Sequence, residues 1–396
     1  MSATEAVRGL AARLARKKSL PSLLDVFRRH GADFRARHAV TPEQSRVLHA
    51  IQVCRTAALG GHLYVCDRCG VKLPLYNSCR NRHCPECQAL DQARWIAARE
   101  ARILPVGHHH VVFTLPAELR ALARRDPRGI YALLFDAAAH TLALLAERRL
   151  HAQLGVTAVL HTWTRELSLH PHVHCVVTAG GLSKDGKRWK DATRFLFPVA
   201  EMKAVFRGQI LAGLARMREL GRLALDEAAW RALLASLPKK KRWVVFIERP
   251  FGRSTHVIRY LGRYTHRVAI SDARLISVDD RGVTFRTRGD ERATLAPDEF
   301  IGRFLLHVLP RGFHKIRHFG LYSAAAVGTR LPIARSLVGD GDRERTEDAD
   351  PEAASEGWAS LLEKLTGEDP LLCPICGRGR LIAAPLPDHR RSRGPP

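Results

Sequence analysis

The chain has 396 residues, 46% of them hydrophobic, which is enough to bury a core in more than one domain. Lysine and arginine number 64 and aspartate and glutamate 39, so the formal net charge is +25. Such a balance favours a polyanionic partner, above all nucleic acid, because neutralising phosphates with basic side chains drives association. The N-terminus lacks the apolar segment of a signal peptide, and no apolar run of about 18 residues occurs, so we expect neither secretion nor a membrane span.

Two segments are predicted in the N-terminal part of the chain. Residues 1–50 have the apolar spacing of amphipathic helices, and Thr41-Pro42-Glu-Gln is typical of a helix start with proline in the first turn. Residues 51–100 form a loop-rich module that holds six of the nine cysteines and ends in a basic helix. Without a signal peptide the cysteines are expected to be reduced, and clustered reduced cysteines more often bind metal than form disulfides.

The cysteine spacing in this module predicts a structural zinc site. Two Cys-x-x-Cys knuckles are separated by 14 residues, close to the spacing of a tetrahedral zinc site. We predict one zinc on the four knuckle cysteines, Cys66, Cys69, Cys84 and Cys87. A second zinc is left open, and its candidate ligands are Cys54, His62, Cys79 and His83.

Residues 101–335 are predicted to form the main domain, with a helical insertion at about 199–237. Three runs rich in β-branched and aromatic residues, 109–114, 156–163 and 172–178, have the composition of strands. Residues 336–396 change to a polar linker and a basic tail. The tail carries a Cys-Pro-Ile-Cys motif, Cys373 and Cys376, which offers only two ligands, so whether it binds metal is left open.

A histidine pair lies in the third strand-like run. His172 and His174 alternate with apolar residues, so in a strand both imidazoles project from one face. Two imidazoles on one face are half of a site for a divalent metal. The alternative is a chance pair, because the chain has 20 histidines.

A tyrosine pair lies further along the chain. Tyr260 and Tyr264 are four residues apart and would share one face of a predicted helix at 254–265. Arg259, Arg263 and Arg267 surround them with positive charge suited to phosphate. The alternative is that both tyrosines only cover the edge of a core.

Together these features resemble the HUH endonucleases, and more closely the two-tyrosine rolling-circle transposases of bacterial insertion sequences. The resemblance spans roughly residues 20–335. Three motifs carry it: Cys79-Arg-Asn-Arg-His-Cys-Pro-Glu-Cys-Gln88 in the zinc module, His170-Pro-His-Val-His-Cys-Val-Val with Gly180-Gly-Leu in the strand, and Arg259-Tyr-Leu-Gly-Arg-Tyr-Thr-His-Arg-Val-Ala-Ile-Ser271.

The resemblance implies a reaction and its cofactors. A tyrosine, Tyr260 or Tyr264, attacks a phosphodiester of single-stranded DNA and forms a phosphotyrosine, which allows cleavage and rejoining at element ends and target. Mg²⁺ or Mn²⁺ on His172 and His174 would polarise the scissile phosphate. The resemblance also implies a third polar ligand; Glu166 is the first candidate, His266 the second and His170 the third.

We therefore predict an α+β fold: a mainly antiparallel HUH nuclease sheet with packed helices, the histidine pair on a central strand and the tyrosine pair on an adjoining helix, plus a small zinc-ribbon-like module and N-terminal helices. The protein is expected in the bacterial cytoplasm, associated with the nucleoid. Two alternatives stay open, a non-catalytic zinc-dependent DNA-binding regulator and a replication initiator that uses the same chemistry.

Overall fold

The computed structural model describes residues 21–339, with gaps at 86, 101, 195, 240–241, 249 and 251–268, and then residues 360, 363 and 369–385. The fold is α+β, and every pair of neighbouring strands within these ranges is antiparallel. The predicted fold class is therefore confirmed as an antiparallel α+β structure.

The helices and strands are numbered here in chain order. The helices are α1 Leu23–Arg37, α2 Pro42–Val53, α3 Gln88–Glu100, α4 Arg120–Arg125, α5 Pro127–Leu150, α6 Val199–Glu219, α7 Glu227–Ser236, α8 Pro297–Leu305, α9 Ala324–Val327 and α10 Arg330–Val338. The strands are β1 Gly61–Cys66, β2 Lys72–Tyr76, β3 His108–Thr114, β4 Ala152–Trp163, β5 Leu169–Ser183, β6 Trp189–Asp191, β7 Val245–Ile247, β8 Leu275–Val278, β9 Val283–Arg286, β10 Arg292–Leu295, β11 Ile316–Gly320 and β12 Leu381–Ala384.

The chain divides into two compact units, and the first combines segments that are far apart in sequence. Its described parts are 21–93, 269–308 and 369–385. Helices α1 and α8 pack together through Phe27 and Phe304, whose rings meet edge-to-face at 5.1 Å. This unit also holds two three-stranded sheets, β10-β9-β8 and β12-β1-β2.

The second unit is built on one larger sheet. Its strand order is β11-β4-β5-β3-β7, with β6 pairing to β5, so β5 is the central strand. Helices α5 and α6 cover one face, where Phe113, Val156 and Val173 join their apolar residues in one core. Because side chains alternate along a strand, the neighbours of these core residues project from the opposite face. Part of that opposite face is covered, since Val159 and Val176 are buried there against Trp95 and Ile316. We call that opposite face the open face.

Helix α5 is the main core helix of the second unit. Ten of its residues are buried, including Leu134, Phe135 and Leu142. Among the described helices it alone is long and apolar enough to cross a membrane by length and composition, with 56% of its most apolar window buried inside the protein. The burial accounts for its apolar composition.

The two units group the chain differently from the predicted domains: the N-terminal helices, most of the cysteine module and the C-terminal segment fall in one unit. Residues 269–308, predicted as part of the nuclease domain, belong to the first unit. The physical reason is the apolar face of α8, where Phe300, Ile301 and Phe304 are buried in a core shared with α1 and β9. The described main sheet is completed instead by residues 309–339, which supply β11.

Candidate functional site

The open face of the main sheet carries a group of histidines. His172 and His174 lie on the central strand β5 and alternate with the buried core residues Val173 and Cys175, as the sequence pattern predicts. The adjacent strand β4 brings a third imidazole to them, because His161 lies directly opposite His172 in the antiparallel register. The ligand atoms of the three histidines are all within 4.8 Å of one another.

The three rings surround a common point. The ring centroid of His161 lies 4.3 Å from that of His174 and 5.4 Å from that of His172, and the last two are 4.8 Å apart. Three ring nitrogens within 4.8 Å of one another can bind one divalent cation and leave coordination positions for other ligands. We call this group the histidine centre.

Burial keeps His172 and His174 in the neutral form that binds metal ions. It lowers the pKa of His172 to about 4, with the neighbouring His170 and His110 adding to the effect, and it lowers the pKa of His174 well below its usual value. Both imidazoles are therefore neutral at pH 7. Neutral imidazole is the form that binds a metal, so no proton has to leave these two rings first.

A backbone hydrogen bond orients the ring of His172. Its Nδ1 lies 2.6 Å from the carbonyl oxygen of His170. A carbonyl can only accept, so Nδ1 carries the hydrogen and donates it. The lone pair of His172 is consequently on Nε2, which is the ligand atom available to the centre.

His174 is oriented through a chain of two further side chains. Its Nδ1 lies 2.8 Å from Nε2 of His110 on β3, and Nδ1 of His110 lies 3.0 Å from the Glu248 carboxylate. The carboxylate accepts from His110 Nδ1–H, and the Nε2 of neutral His110 then accepts from His174 Nδ1–H. Nε2 of His174 then carries the lone pair. This arrangement is the carboxylate–histidine support often found behind metal-binding histidines.

The structure does not bring Glu166, the first candidate for the third ligand, into the histidine centre. Glu166 is exposed in the turn between β4 and β5, and its backbone N–H donates to Thr164 Oγ1. That turn lies beyond the paired ends of the strands, whereas His161 lies within the pairing. His161 thus takes the third position in the group.

The remaining candidates for the third metal ligand are His170 and His266. His170 is also outside the group; its Nδ1 accepts a hydrogen bond of 3.1 Å from Arg120, and burial beside that cation lowers its pKa. His266 lies in 251–268, outside the described part of the chain, and so do both predicted catalytic tyrosines, Tyr260 and Tyr264.

The cysteines form two clusters in the first unit. In one, Cys54, at the C-terminal cap of α2, joins Cys79, Cys84 and Cys87. Their sulfurs are separated by 3.5 Å for Cys54 and Cys87, 3.4 Å for Cys79 and Cys87, and 3.6 Å for Cys84 and Cys54. Four thiolates at about 2.3 Å from a zinc ion lie about 3.8 Å from one another, so this cluster has the dimensions of a zinc site.

The second cluster joins two cysteines of the N-terminal cysteine module to two cysteines of the C-terminal segment. Cys66 and Cys69 meet Cys373 and Cys376, with sulfur separations of 3.7 Å between Cys66 and Cys376 and 3.8 Å between Cys69 and Cys373. Both clusters differ from the predicted groupings. The predicted set of four knuckle cysteines is split, because β1 pairs with β12 from the C-terminal segment and brings the tail motif to Cys66.

The two histidines that we considered for a second zinc site are in neither cluster. His62 is exposed on β1. His83 is buried, and its Nδ1 lies 3.0 Å from the side-chain oxygen of Asn81. The nearby Cys54 and Cys79, from the same predicted set, are ligand candidates in the first cluster.

Comparisons with known proteins identify the family. Residues 155–329 match a family model described as putative transposase, and residues 26–115 match the transposase zinc-binding domain. A putative transposase of Sinorhizobium fredii, y4qJ, is 42% identical over 96% of this chain and 98% of its own length. The chain belongs to this transposase family. The transposase for insertion sequence element IS801 of Pseudomonas savastanoi pv. phaseolicola is 29% identical over 84% of this chain and 82% of its own length.

Both matched regions contain a group of candidate ligands. The putative transposase match includes all three members of the histidine centre, and the zinc-binding match includes the complete first cysteine cluster. The tail cysteines, Cys373 and Cys376, lie outside both matches. A conjugative relaxase, TrwC, solved with oriT DNA and metal, overlaps 40% of this chain and 71% of its own at 16% identity and a TM-score of 0.23, an overlap too low to support an argument.

Sequence reasoning missed three members of this transposase's histidine network. His161 and Glu248 are not within an HxH or knuckle motif. His110, in the predicted strand 109–114, ends the HxH spacing of His108-His109-His110, and the importance of all three residues comes from strand pairing. A signal existed for His161, because it occupies a predicted strand, 156–163, next in sequence to the strand of the histidine pair. For Glu248 the sequence offers no comparable signal.

Proposed function

We propose that the protein is a metal-dependent DNA strand transferase of the two-tyrosine HUH type, which cuts and rejoins single-stranded DNA during rolling-circle-type transposition. The observation that carries the proposal is the histidine centre on the open face, because it adds a third imidazole to the HxH pair within a transposase family. The similar proteins of Sinorhizobium fredii and Pseudomonas savastanoi are themselves described as transposases, which supports the same reaction class.

Three residues would hold the catalytic cation: His161, His172 and His174. The cation supplies Lewis-acid polarisation of the scissile phosphate and offsets the negative charge that develops on its oxygens. Three imidazoles without a carboxylate among the described ligands favour Mn²⁺ over Mg²⁺, because Mg²⁺ prefers oxygen ligands and imidazole binds transition metals more readily. His172 and His174 contribute further by remaining neutral at pH 7.

The nucleophile is proposed to be Tyr260 or Tyr264. The phenolic oxygen forms a bond to phosphorus, the bond from phosphorus to the 3′ oxygen breaks, and the phenolic proton is transferred so that a free 3′-OH remains. The reverse reaction with a different 3′-OH joins strands. Two tyrosines four residues apart would allow a second transfer while the first phosphotyrosine is still in place.

The net charge of +25 supports the DNA part of the proposal. Exposed arginines on the second unit, such as Arg102 and Arg165, would neutralise phosphates and release their counterions. Phosphate contacts supply affinity and position without reading sequence, so they leave sequence recognition to other residues.

A covalent-adduct assay tests the proposal directly. The full chain is incubated with labelled single-stranded DNA that carries an element end, with Mn²⁺, Mg²⁺ or a chelator, and then denatured. We expect a protein–DNA adduct that needs the cation, is faster with Mn²⁺ and disappears in the His172→Ala, His174→Ala double variant. Binding of DNA by the wild type without any adduct or cleavage would contradict the proposal and favour the non-catalytic regulator.

A further inference from the structure

We infer that the chain binds two structural zinc ions, and that the second is held by a zinc ribbon closed by the C-terminal segment. Its ligands are the second cluster, Cys66, Cys69, Cys373 and Cys376, whose ligand atoms lie within 4.8 Å of one another. Neither of the two matched family models covers the tail motif, since they end at residues 115 and 329. The inference rests on the geometry of the cluster alone and is independent of the proposed catalytic function.

The two halves of the cluster have the same local design. Cys66-Asp-Arg-Cys69 is followed by Gly70, and Cys373-Pro-Ile-Cys376 is followed by Gly377. Both glycines have a left-handed backbone, with φ of 66° and 64°, which residues with a Cβ adopt at a cost. Each motif therefore turns tightly and presents its two sulfurs to the same side.

Backbone N–H groups point at the sulfurs in both halves. Those of Arg68 and Cys69 donate to the sulfur of Cys66, at 3.4 and 3.5 Å, and that of Gly379 donates to the sulfur of Cys376 at 3.3 Å. Hydrogen bonds from backbone N–H groups stabilise thiolate over thiol, and thiolate is the form that binds zinc.

The tail is built into the first unit rather than resting on its surface. Strand β12 pairs with β1 over four residues, from Leu63 with Ala384 to Cys66 with Leu381. Asp67 adds two hydrogen bonds to Arg380, one from its backbone N–H and one to its side-chain oxygen. At Gly379 a Cβ would overlap the Cys66 sulfur, so glycine is needed for the approach of the two motifs.

The region around the second cysteine cluster buries too few apolar side chains to fold without a metal ion. The buried cluster consists of Cys66, Cys373 and Leu381, with a few half-buried neighbours. In such small modules the free energy of zinc binding supplies the free energy of folding. Four converging thiols with this little core are therefore expected to need a cation between them.

Zinc content of the full chain tests the inference. In a His172→Ala, His174→Ala background, which removes the competing histidine centre, we expect two zinc ions per chain, and one when Cys373→Ser and Cys376→Ser are added. The control Arg378→Ser, at an exposed position of the same knuckle, should keep both. Removing a ligand pair of the first cluster, Cys79→Ser with Cys84→Ser, should also leave one, held by the second.

Cobalt substitution keeps the test decisive if the serine variant folds poorly. Thiolate-bound Co²⁺ should give absorption for two sites in the wild type. Cys373→His, which keeps a ligand, should shift one of the two spectra without abolishing it. Zinc content and cobalt spectra unchanged by the substitutions at Cys373 and Cys376 would overturn the inference, and so would disulfides among these four cysteines in the purified chain.

A second inference comes from a pocket in the second unit, and it depends on the proposed function. The pocket encloses about 310 Å³ including its open mouth. Arg99, Arg102, Thr157 and His318 line its polar part, and Ile103, Tyr322, Val327 and Leu331 line its apolar part. Arg99 Nη1 donates to His318 Nε2 at 3.0 Å, while Nε of Arg99 is buried without a hydrogen-bond partner among the described residues. We propose that this pocket binds a phosphate of the DNA strand.

The position of the pocket suits that role. Thr157 and His161 are four residues apart on β4 and project from the open face, which places the pocket about 13 Å from the histidine centre along the strand. That separation is about four nucleotides of a strand in B-form geometry, at about 3.4 Å each, and fewer in an extended strand. A guanidinium pair there would hold the DNA at a fixed distance from the scissile phosphate.

Oligonucleotide affinity without added cation tests the pocket. Arg102→Glu should weaken binding of single-stranded DNA by roughly tenfold to a hundredfold, the loss expected for a charge-assisted hydrogen bond. Arg125→Glu, the same charge change at an exposed position of α4, is the matched control and should cost far less. Equal losses of DNA affinity in the two variants would overturn the phosphate-binding role of the pocket and leave the proposed function untouched. A wild type without affinity for DNA would overturn the proposed function itself.

Discussion

His161 and His172 lie directly opposite each other on the antiparallel strands β4 and β5, and this pairing supplies the third member of the histidine centre. The two residues are separated in the chain by the turn that carries Glu166. Strand register, rather than proximity in sequence, therefore decides which side chain completes the group.

The identity of the third ligand gives the first prediction. His161→Ala should lower Mn²⁺ affinity at least tenfold, because one of three nitrogen donors is lost, while Glu166→Ala should leave it nearly unchanged. Titration calorimetry with Mn²⁺ measures both variants, after zinc has been limited to the amount that the cysteine clusters hold. The reverse ranking would show that Glu166, and not His161, is the ligand.

The second prediction concerns the support of His174 by His110 and Glu248. Glu248→Ala should reduce metal affinity about tenfold to a hundredfold, the usual effect of removing such a partner of a ligating histidine. Glu248→Gln keeps an acceptor for His110 Nδ1–H and should recover most of the affinity. Because Glu248 is partly exposed, neither change should alter thermal unfolding much. If the Glu248→Ala variant and the wild type have equal metal affinities, Glu248 does not support His174.

The third prediction assigns the nucleophile. Tyr260→Phe and Tyr264→Phe keep the aromatic ring, so they should retain DNA binding and stability, and each should impair complete strand transfer. The double variant should form no covalent adduct. Mass spectrometry of the DNA-linked peptide identifies the attachment site, and an adduct on neither tyrosine would refute the two-tyrosine mechanism.

The fourth prediction follows from the net charge of +25. Affinity for DNA should fall linearly with salt on a logarithmic plot, since each phosphate contact releases bound counterions. Fluorescence anisotropy between about 50 and 200 mM salt, the range over which this effect is large, measures the slope. A flat response would mean that basic side chains contribute little to binding.

The fifth prediction concerns stability in acid. His108 is fully buried; its Nδ1–H donates to the Val106 carbonyl, and its Nε2 accepts from the Tyr322 hydroxyl. Burial lowers the His108 pKa from 6.5 to about 4. Below pH 6.5 the unfolded chain takes up a proton that the folded chain does not, so the free energy of unfolding decreases as pH falls towards 4.

Between pH 7 and 5 this loss should amount to about 2 kcal/mol for His108. His108→Gln cannot titrate, so its unfolding free energy should fall by that much less over the same interval, as measured by urea denaturation. Comparing the two chains cancels the pH dependence of the cysteine clusters. Parallel pH profiles would show that His108 takes up its proton over the same pH range in the folded and unfolded chains, so that its pKa is not lowered by folding.

Local patterns in the sequence determined several features of this protein by themselves. The alternation around His172 and His174 predicted a strand with both imidazoles on one face, and the structure has them on the open face of β5. The Cys-x-x-Cys-Gly motif at Cys66 predicted a metal knuckle, and the glycine turn is present. These features depend on backbone geometry over a few residues, which a local sequence specifies.

Only the tertiary structure decided which of these local parts combine. Cys66 meets Cys376, 310 residues further along the chain, because β12 pairs with β1. His161 joins the histidine pair, and Glu248 reaches His174 through His110, because β4 and β3 flank β5. Pairing between distant strands depends on the burial of a shared core and on register, and no spacing within one segment contains that information.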